Sequence, residues 1–226
     1  TTSTLEVLAK SEPPISLRQH IDECLRVHES LRKAFGRLPV GNQDRFWELI
    51  RLGIIFHDLG KSHSEFQKML EGKRANWYHQ RHELFSVPFV EQLDLPNEDK
   101  LLLKLIVAGH HKDFNFLFDQ IQHGYKSGED IFSFSEDGKL DWDEETQKIN
   151  LQFIQLFLKE YKVSLNQSSL ALPMQLQLVK DYNGSPINSK KINFQELLLA
   201  AGALKQCDHS ASAGIFKVNV LEDKHF

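Results

Sequence analysis

The sequence predicts an all-α protein, a bundle of helices around one core. Three observations point there. Apolar residues recur at spacings of three and four along several segments. Capping signals stand where those segments begin: Ser16 with Gln19, Ser62 with Glu65, and Asn193 with Glu196. Glycine and proline mark breaks between segments, as at Gly36 to Gly41 with Pro39.

The bulk numbers set limits. The chain has 226 residues, enough for one large domain with a real core. We read residues 1–226 as a single domain with its core at 15–213. With 41% hydrophobic and 26% charged residues, it is of the ordinary globular kind. The net charge of -4 excludes a broad basic surface of the sort that holds duplex DNA. Nucleic acid would have to be bound locally, through metals or with a partner. No apolar run reaches the roughly 20 residues of a membrane span, and residues 1–10 do not read as a signal peptide. Opening on Thr1 rather than Met suits an excised piece or a processed form. The two cysteines, Cys24 and Cys207, each lie in a helical pattern. Read as buried free thiols, they point to a reducing compartment and a cytoplasmic protein. The unusual count is 11 histidines.

Taken in order, residues 1–14 form a lead-in ending at Pro13-Pro14. Ser16 opens a first helix with its stripe on Leu17, Ile21, Cys24, Leu25, Leu31 and Phe35. His20 lies on that face, either as a core histidine bonded to a carbonyl or as a ligand. His28 is read as a core histidine. A second helix begins near Asn42 or Asp44 and runs to His57-Asp58, with Ile50, Ile54 and His57 on one face and Asp58 at its border. An ionised Asp beside an apolar stripe is costly unless paired or metal-bound. Gly60 is a natural helix end. A third helix carries Phe66, Met69 and Leu70. A fourth carries Leu84, Phe85, Phe89, Val90 and Leu93, bent or broken near Pro88, with His79 and His82 at its start and His82 on the inner side.

Pro96-Asn97 opens the most hydrophobic helix, with Glu98 and Asp99 in its first turn. From Leu101 to Gly109 only Lys104 is polar, so this should be the central buried helix. It ends in His110-His111, which repeats the pattern at His57-Asp58. Residues 112–135 are rich in aromatics, read either as a base-stacking groove or as core packing, with a short helix near 117–123. Residues 144–165 are predicted as a long amphipathic helix with Ile149, Phe153, Leu156, Phe157 and Tyr161 inward. A small irregular or hairpin insertion is expected near 166–192. In the last helix Leu197, Ala201, Leu204 and Asp208 fall on one line, so Asp208 is a carboxylate on an apolar stripe. Such local conflicts tend to mark function. Ser212 continues the line and is a candidate substrate contact.

The candidate ligands are therefore His20, His57, Asp58, His82, His110, His111 and Asp208. Five imidazoles and two carboxylates exceed the needs of one ion and suit two ions sharing a bridging carboxylate. Asp58, beside His57 and central to the set, is the natural bridge. Mixed nitrogen and oxygen donors point to Mn, Fe, Co or Ni and disfavour magnesium. No Cys is expected in the set, which argues against a structural zinc site. Two such ions activate water and stabilise the leaving oxygen of a phosphoester. Asp58 and Lys61 are the catalytic candidates, Lys61 as a neutraliser of a phosphate oxygen.

The order His, His-Asp, His, His-His, Asp resembles the HD-domain metal-dependent phosphohydrolases. More finely, it is similar to the HD nuclease of the CRISPR-associated type I nuclease-helicase, which also occurs as a separate chain. The segments that carry this are 17–24, Phe56-His57-Asp58-Leu59-Gly60-Lys61, Arg81-His82-Glu83-Leu84-Phe85-Ser86, Ala108-Gly109-His110-His111 and Cys207-Asp208-His209-Ser210-Ala211-Ser212. The resemblance implies an HD helical bundle with a dinuclear metal site between helices. One ion would take His20, His57, Asp58 and Asp208, the other Asp58, His82, His110 and His111. It implies cleavage of single-stranded DNA fed by a CRISPR-associated helicase domain or chain, and through it a place beside the type I effector complex. The chain has no phosphate-binding Gly-x-x-x-x-Gly-Lys-Ser/Thr motif of its own, so that helicase would lie beyond Phe226 or on another chain. Two other readings stand beside this: an HD phosphohydrolase of a small or cyclic nucleotide, and a degenerate docking module. No ligand of the motif is lost, which weighs against the docking module.

Overall fold

The computed structural model of the chain describes residues 6–35, 37–77, 81–111, 147–166 and 193–218. They form seven α-helices, one 3-10 turn and one hairpin. The helices are α1 (Leu17–Ala34), α2 (Gln43–Phe56), α3 (Ser64–Leu70), α4 (His82–Glu91), α5 (Asn97–Ala108), α6 (Leu151–Glu160) and α7 (Phe194–Ser212). The 3-10 turn spans Leu59–Ser62. No helix among the described residues is long and apolar enough to cross a membrane. The all-helical architecture follows from the stripes and caps read in the sequence. Ser16 accepts from the Gln19 amide, Asn42 from Arg45, and Asn193 from Gln195 and Glu196.

The lead-in departs from expectation. Leu8–Ser11 and Pro14–Ser16 pair antiparallel as β1 and β2. Their outer edge is closed by a side chain: the Leu8 amide donates to Gln67 Oε1 (2.8 Å), and Gln67 Nε2 donates to the Leu8 carbonyl (2.9 Å). One glutamine thus takes the place of a third strand, which no local pattern in residues 1–14 reveals. The Ser62 cap also fails. His63 is the capping residue of α3, its Nδ1 accepting from the Glu65 amide at 3.1 Å. Ser62 is drawn into the 3-10 turn because its carbonyl accepts from Asn150 (3.3 Å), while Ser64 donates to Lys148 (2.8 Å).

α2 rather than α5 is the hub. It is buried on nearly every side, from Phe46 and Trp47 through Ile54, Ile55 and Phe56, and packs on α1, α4, α5 and α7. α5 is buried too, and its buried lysine, Lys104, pairs with Glu91 of α4. Arg45 near the start of α2 binds Asp99 (Nε to Oδ1, 2.8 Å) and pairs with Glu196, tying together the first turns of three helices. α4 continues through Pro88 without interruption. α6 is shorter than expected, because Asn150 caps it by accepting from Phe153. It buries Ile154, Phe157 and Leu158 and leaves Leu156 half exposed. His28 is a core histidine, with Nε2 3.0 Å from the Trp47 carbonyl. His79, the aromatic stretch at 112–135 and all but the first residue of the insertion expected near 166–192 lie outside the described residues.

The turn after α2 presses directly on α4. A Cβ on Gly60 would stand 2.0 Å from the His82 carbonyl oxygen and 2.8 Å from Phe85 Cβ. The buried Ser86 hydroxyl pins this approach, accepting from the Gly60 amide (2.8 Å) and donating to the His57 carbonyl (2.8 Å). Gly60 is therefore a contact requirement, not only a helix end. Replacing Gly60 with Ala should lower stability by about 1–3 kcal/mol, the range of forced overpacking. Gly202→Ala, on the exposed side of α7 where an added methyl would meet nothing within 4 Å, should instead gain about 0.5–1 kcal/mol. Urea unfolding of both variants checks this, and an unchanged midpoint for Gly60→Ala contradicts it.

Candidate metal centre

The end of α2 delivers His57 as its last cap residue, with Asp58 next. α1 brings His20 from one side, and α7 brings Asp208 beside it. α4 begins with His82 on the other side, and α5 ends just before His110 and His111. Six of the seven candidates are buried or nearly so, and only His111 is exposed.

Asp58 lies between two groups. Its Oδ2 is 3.4 Å from His57 Nε2 and 3.5 Å from His20 Nε2. Its Oδ1 is 2.9 Å from His82 Nε2 and 3.8 Å from His110 Nε2. Asp208 Oδ1 completes the first group, 3.1 Å from His20 Nε2 and 4.0 Å from His57 Nε2. His111 completes the second, its ring centre 4.0 Å from that of His110 and 5.0 Å from that of His82. In both groups the candidate donor atoms lie within 4.8 Å of one another.

The histidine tautomers are set locally. His57 Nδ1 lies 2.7 Å from the Ile54 carbonyl, and His110 Nδ1 lies 2.7 Å from the Val107 carbonyl. Each ring donates to the carbonyl three residues back in its own helix end, so each Nε2 carries a lone pair that points into the cluster. The Nε2 atoms of His57, His82 and His110 and both Asp58 oxygens are buried without hydrogen bonds. Lys61 Nζ is 2.8 Å from Asp58 Oδ2 and His82 Nε2 is near Oδ1, but these are electrostatic pairings that lack hydrogen-bond angles. A carboxylate offers about four lone-pair directions, so coordination capacity remains. Native interiors rarely leave so many adjacent polar atoms unsatisfied. This set of donors fits divalent metal ions.

The electrostatics agree. Burial raises the Asp58 carboxyl, but His57, Lys61 and His82 outweigh it and hold the group well below the ordinary carboxylate range. Burial also raises Asp208, and His20 and His57 bring it below that range. Burial lowers His57 despite Asp58 and Asp208, and lowers His110 further with help from His57 and His111. At neutral pH the site therefore offers two ionised carboxylates and the neutral imidazoles of His57 and His110, the forms that bind metal.

The other residues marked by the sequence divide. Lys61 reaches the site, with Nζ also 3.3 Å from the Ala9 carbonyl of the hairpin. Ser212 is exposed one turn beyond Asp208 and belongs to neither donor group. Cys24, expected to stand apart, does not: its Sγ is 3.7 Å from His20 Nε2 and within the first group. Its place at His20 plus four on the same stripe was the available signal. Burial, with Asp208 and Asp58, pushes its thiol far up. Sequence reasoning also missed Ser86, at His82 plus four, and Glu83, buried and paired with Arg81, with Oε2 3.6 Å from His82 Nδ1.

Compared with known protein families, the chain matches the HD domain over residues 19–156, more than half its length. The chain belongs to the HD domain family. HD domains are metal-dependent phosphohydrolases that bind divalent metals, and both donor groups here could hold such ions. The HD match covers every candidate from His20 to His111. Asp208 lies beyond it and joins the HD site through the packing of α7 on α1. No curated protein matches the chain.

The buried histidines give a pH dependence with a definite sign. His28, His57 and His110 are all held below 6.5, chiefly by burial. In the unfolded chain they take up protons near pH 6.5. Between that pH and their lower folded values the unfolded state binds more protons, so stability falls as pH falls. Asp58 and Asp208, with depressed values, add losses only below about pH 4. Urea unfolding in EDTA should show a steady decline from pH 6.5 toward 4, reduced in His110→Gln. A flat profile contradicts this.

Proposed function

We propose that the chain is a metal-dependent nuclease that hydrolyses phosphodiester bonds of single-stranded DNA in CRISPR type I interference, working with a helicase domain or chain. The observation that carries the reading is Asp58, whose two oxygens face two separate groups of donors. His20, His57, Asp58 and Asp208 would hold one ion, and Asp58, His82, His110 and His111 the other. Two ions there would supply water activation at neutral pH and charge on the leaving oxygen. Mn, Ni, Co and Fe suit these nitrogen and oxygen donors, and Mg suits them poorly.

The protein's own part is positional and electrostatic. Backbone carbonyls of Ile54 and Val107 hold the two deepest imidazoles of the donor groups in one tautomer. Ser86 fixes the α2 end against α4, so that His82 meets Asp58. Lys61 has three donors; the Ala9 carbonyl engages one, and the ammonium pairs electrostatically with Asp58 while keeping donor capacity for a phosphate oxygen. The exposed His111 and partly exposed His82 put the second group at the solvent edge, where a strand could approach. A net charge of -4 agrees with a nuclease that is handed its strand rather than one that captures duplex DNA. The matching His-Asp-x-Gly-Lys, Arg-His-Glu and Gly-His-His segments support the polymer over a small nucleotide.

Purified chain with manganese or nickel should degrade single-stranded DNA, and Asp58→Ala should abolish this. Lys61→Met should lower kcat by about 100-fold, the usual loss for one charge-stabilising donor. Hydrolysis of nucleoside phosphates or cyclic nucleotides without cleavage of DNA would instead assign the site to a small-nucleotide phosphohydrolase.

A further inference from the structure

Cys24 places a sulfur at the first donor group. Its Sγ lies on the buried face of α1, one turn after His20, and touches that group. An ion coordinated tetrahedrally at about 2.0–2.3 Å has donor atoms separated by about 3.3–3.8 Å. His20 Nε2 to Cys24 Sγ is 3.7 Å, His20 Nε2 to Asp208 Oδ1 is 3.1 Å, and His57 Nε2 to Asp208 Oδ1 is 4.0 Å. All four atoms fall within 4.8 Å of one another. An independent observation marks the same point as a ligand position: His57 Nε2 is wholly buried and has no hydrogen-bond partner. Cys207 is the contrast. It is as deeply buried and adjoins Asp208 in sequence, yet it is not part of the group.

We propose that Cys24 Sγ is a direct ligand at the first ion position, so that the two positions of one site differ in chemical softness. The inference rests on the two-ion reading above and refines it. The sulfur–metal bond forms as the thiol proton passes to solvent, and no redox partner is needed. With Asp58 as the bridge, the first position then has two imidazoles, oxygens of Asp58 and Asp208, and sulfur, while the second has only nitrogen and oxygen. A sulfur donor favours zinc, cobalt and cadmium and disfavours manganese. The two positions should therefore fill with different ions from a mixture, the softer one at His20 and Cys24.

Cobalt(II) titration of the purified chain tests this without any activity measurement. Bound cobalt shows visible ligand-field bands with any donors, and a near-ultraviolet charge-transfer band only with thiolate. Wild type and Cys207→Ala should show both. Cys24→Ser and Cys24→Ala should keep the visible bands and lose the near-ultraviolet one. Cadmium affinity relative to manganese should fall about tenfold or more in the Cys24 variants, at least the loss seen for outer-shell partners of a metal. Visible bands without a charge-transfer band in wild type, or loss of that band in Cys207→Ala, overturn the ligation by Cys24 and leave the two-ion site standing. Absence of visible bands in wild type removes the two-ion site itself. Should both Cys24 variants fail to fold, the wild-type and Cys207→Ala spectra still decide the matter.

Discussion

A carboxylate buried in the middle of a helical bundle is the constraint on which this structure depends. Asp58 is almost fully enclosed, ionised, and without a hydrogen bond on either oxygen. Left alone, such a charge costs several kcal/mol. Lys61 and the surrounding imidazoles offset part of that cost, and a pair of dications would offset far more. The bundle is arranged around this residue. The end of α2 carries it, α4 and α5 flank one oxygen, and α1 and α7 flank the other.

The same local device recurs where precision is needed. α2 and α5 both end just before a histidine, and each ring is tethered to the carbonyl three residues back. The last carbonyls of a helix lack partners within it, so these imidazoles satisfy the helix end and are oriented by it at once. The cost is destabilisation of the metal-free protein at low pH, since burial holds both rings below the ordinary imidazole range. Ser86 and Gly60 make the other joint: one hydroxyl bonded to two backbone groups, across a gap that admits no methyl. Both residues are buried, yet the spacing between His82 and Asp58 rests on them.

Much of this was legible in the sequence because helical spacing is local. The stripes placed His20 and Asp208 inward, and the abrupt ends after Phe56 and Ala108 marked His57-Asp58 and His110-His111. What escaped was set by tertiary contacts. Gln67 completes a hairpin edge by bonding a residue 59 positions away from it in the chain. The bridge between His63 and Ile149 moves the α3 cap from Ser62 to His63 and coincides with a late start of α6. α2 took the central place predicted for α5, because burial all round depends on how many helices converge, which composition does not state. Cys24 was on the predicted stripe throughout. Only the docking of α7 against α1 shows that its sulfur faces Asp208 and not merely the core.

The central claim is that Asp58 bridges two ions. Anomalous diffraction from crystals grown with cobalt measures this most directly. Two peaks per chain are expected, about 3.5–4 Å apart, one on the His20, His57 and Asp208 side of Asp58 and the other on the side of His82, His110 and His111. A single peak, or two peaks of which one has no contact with Asp58, would contradict it.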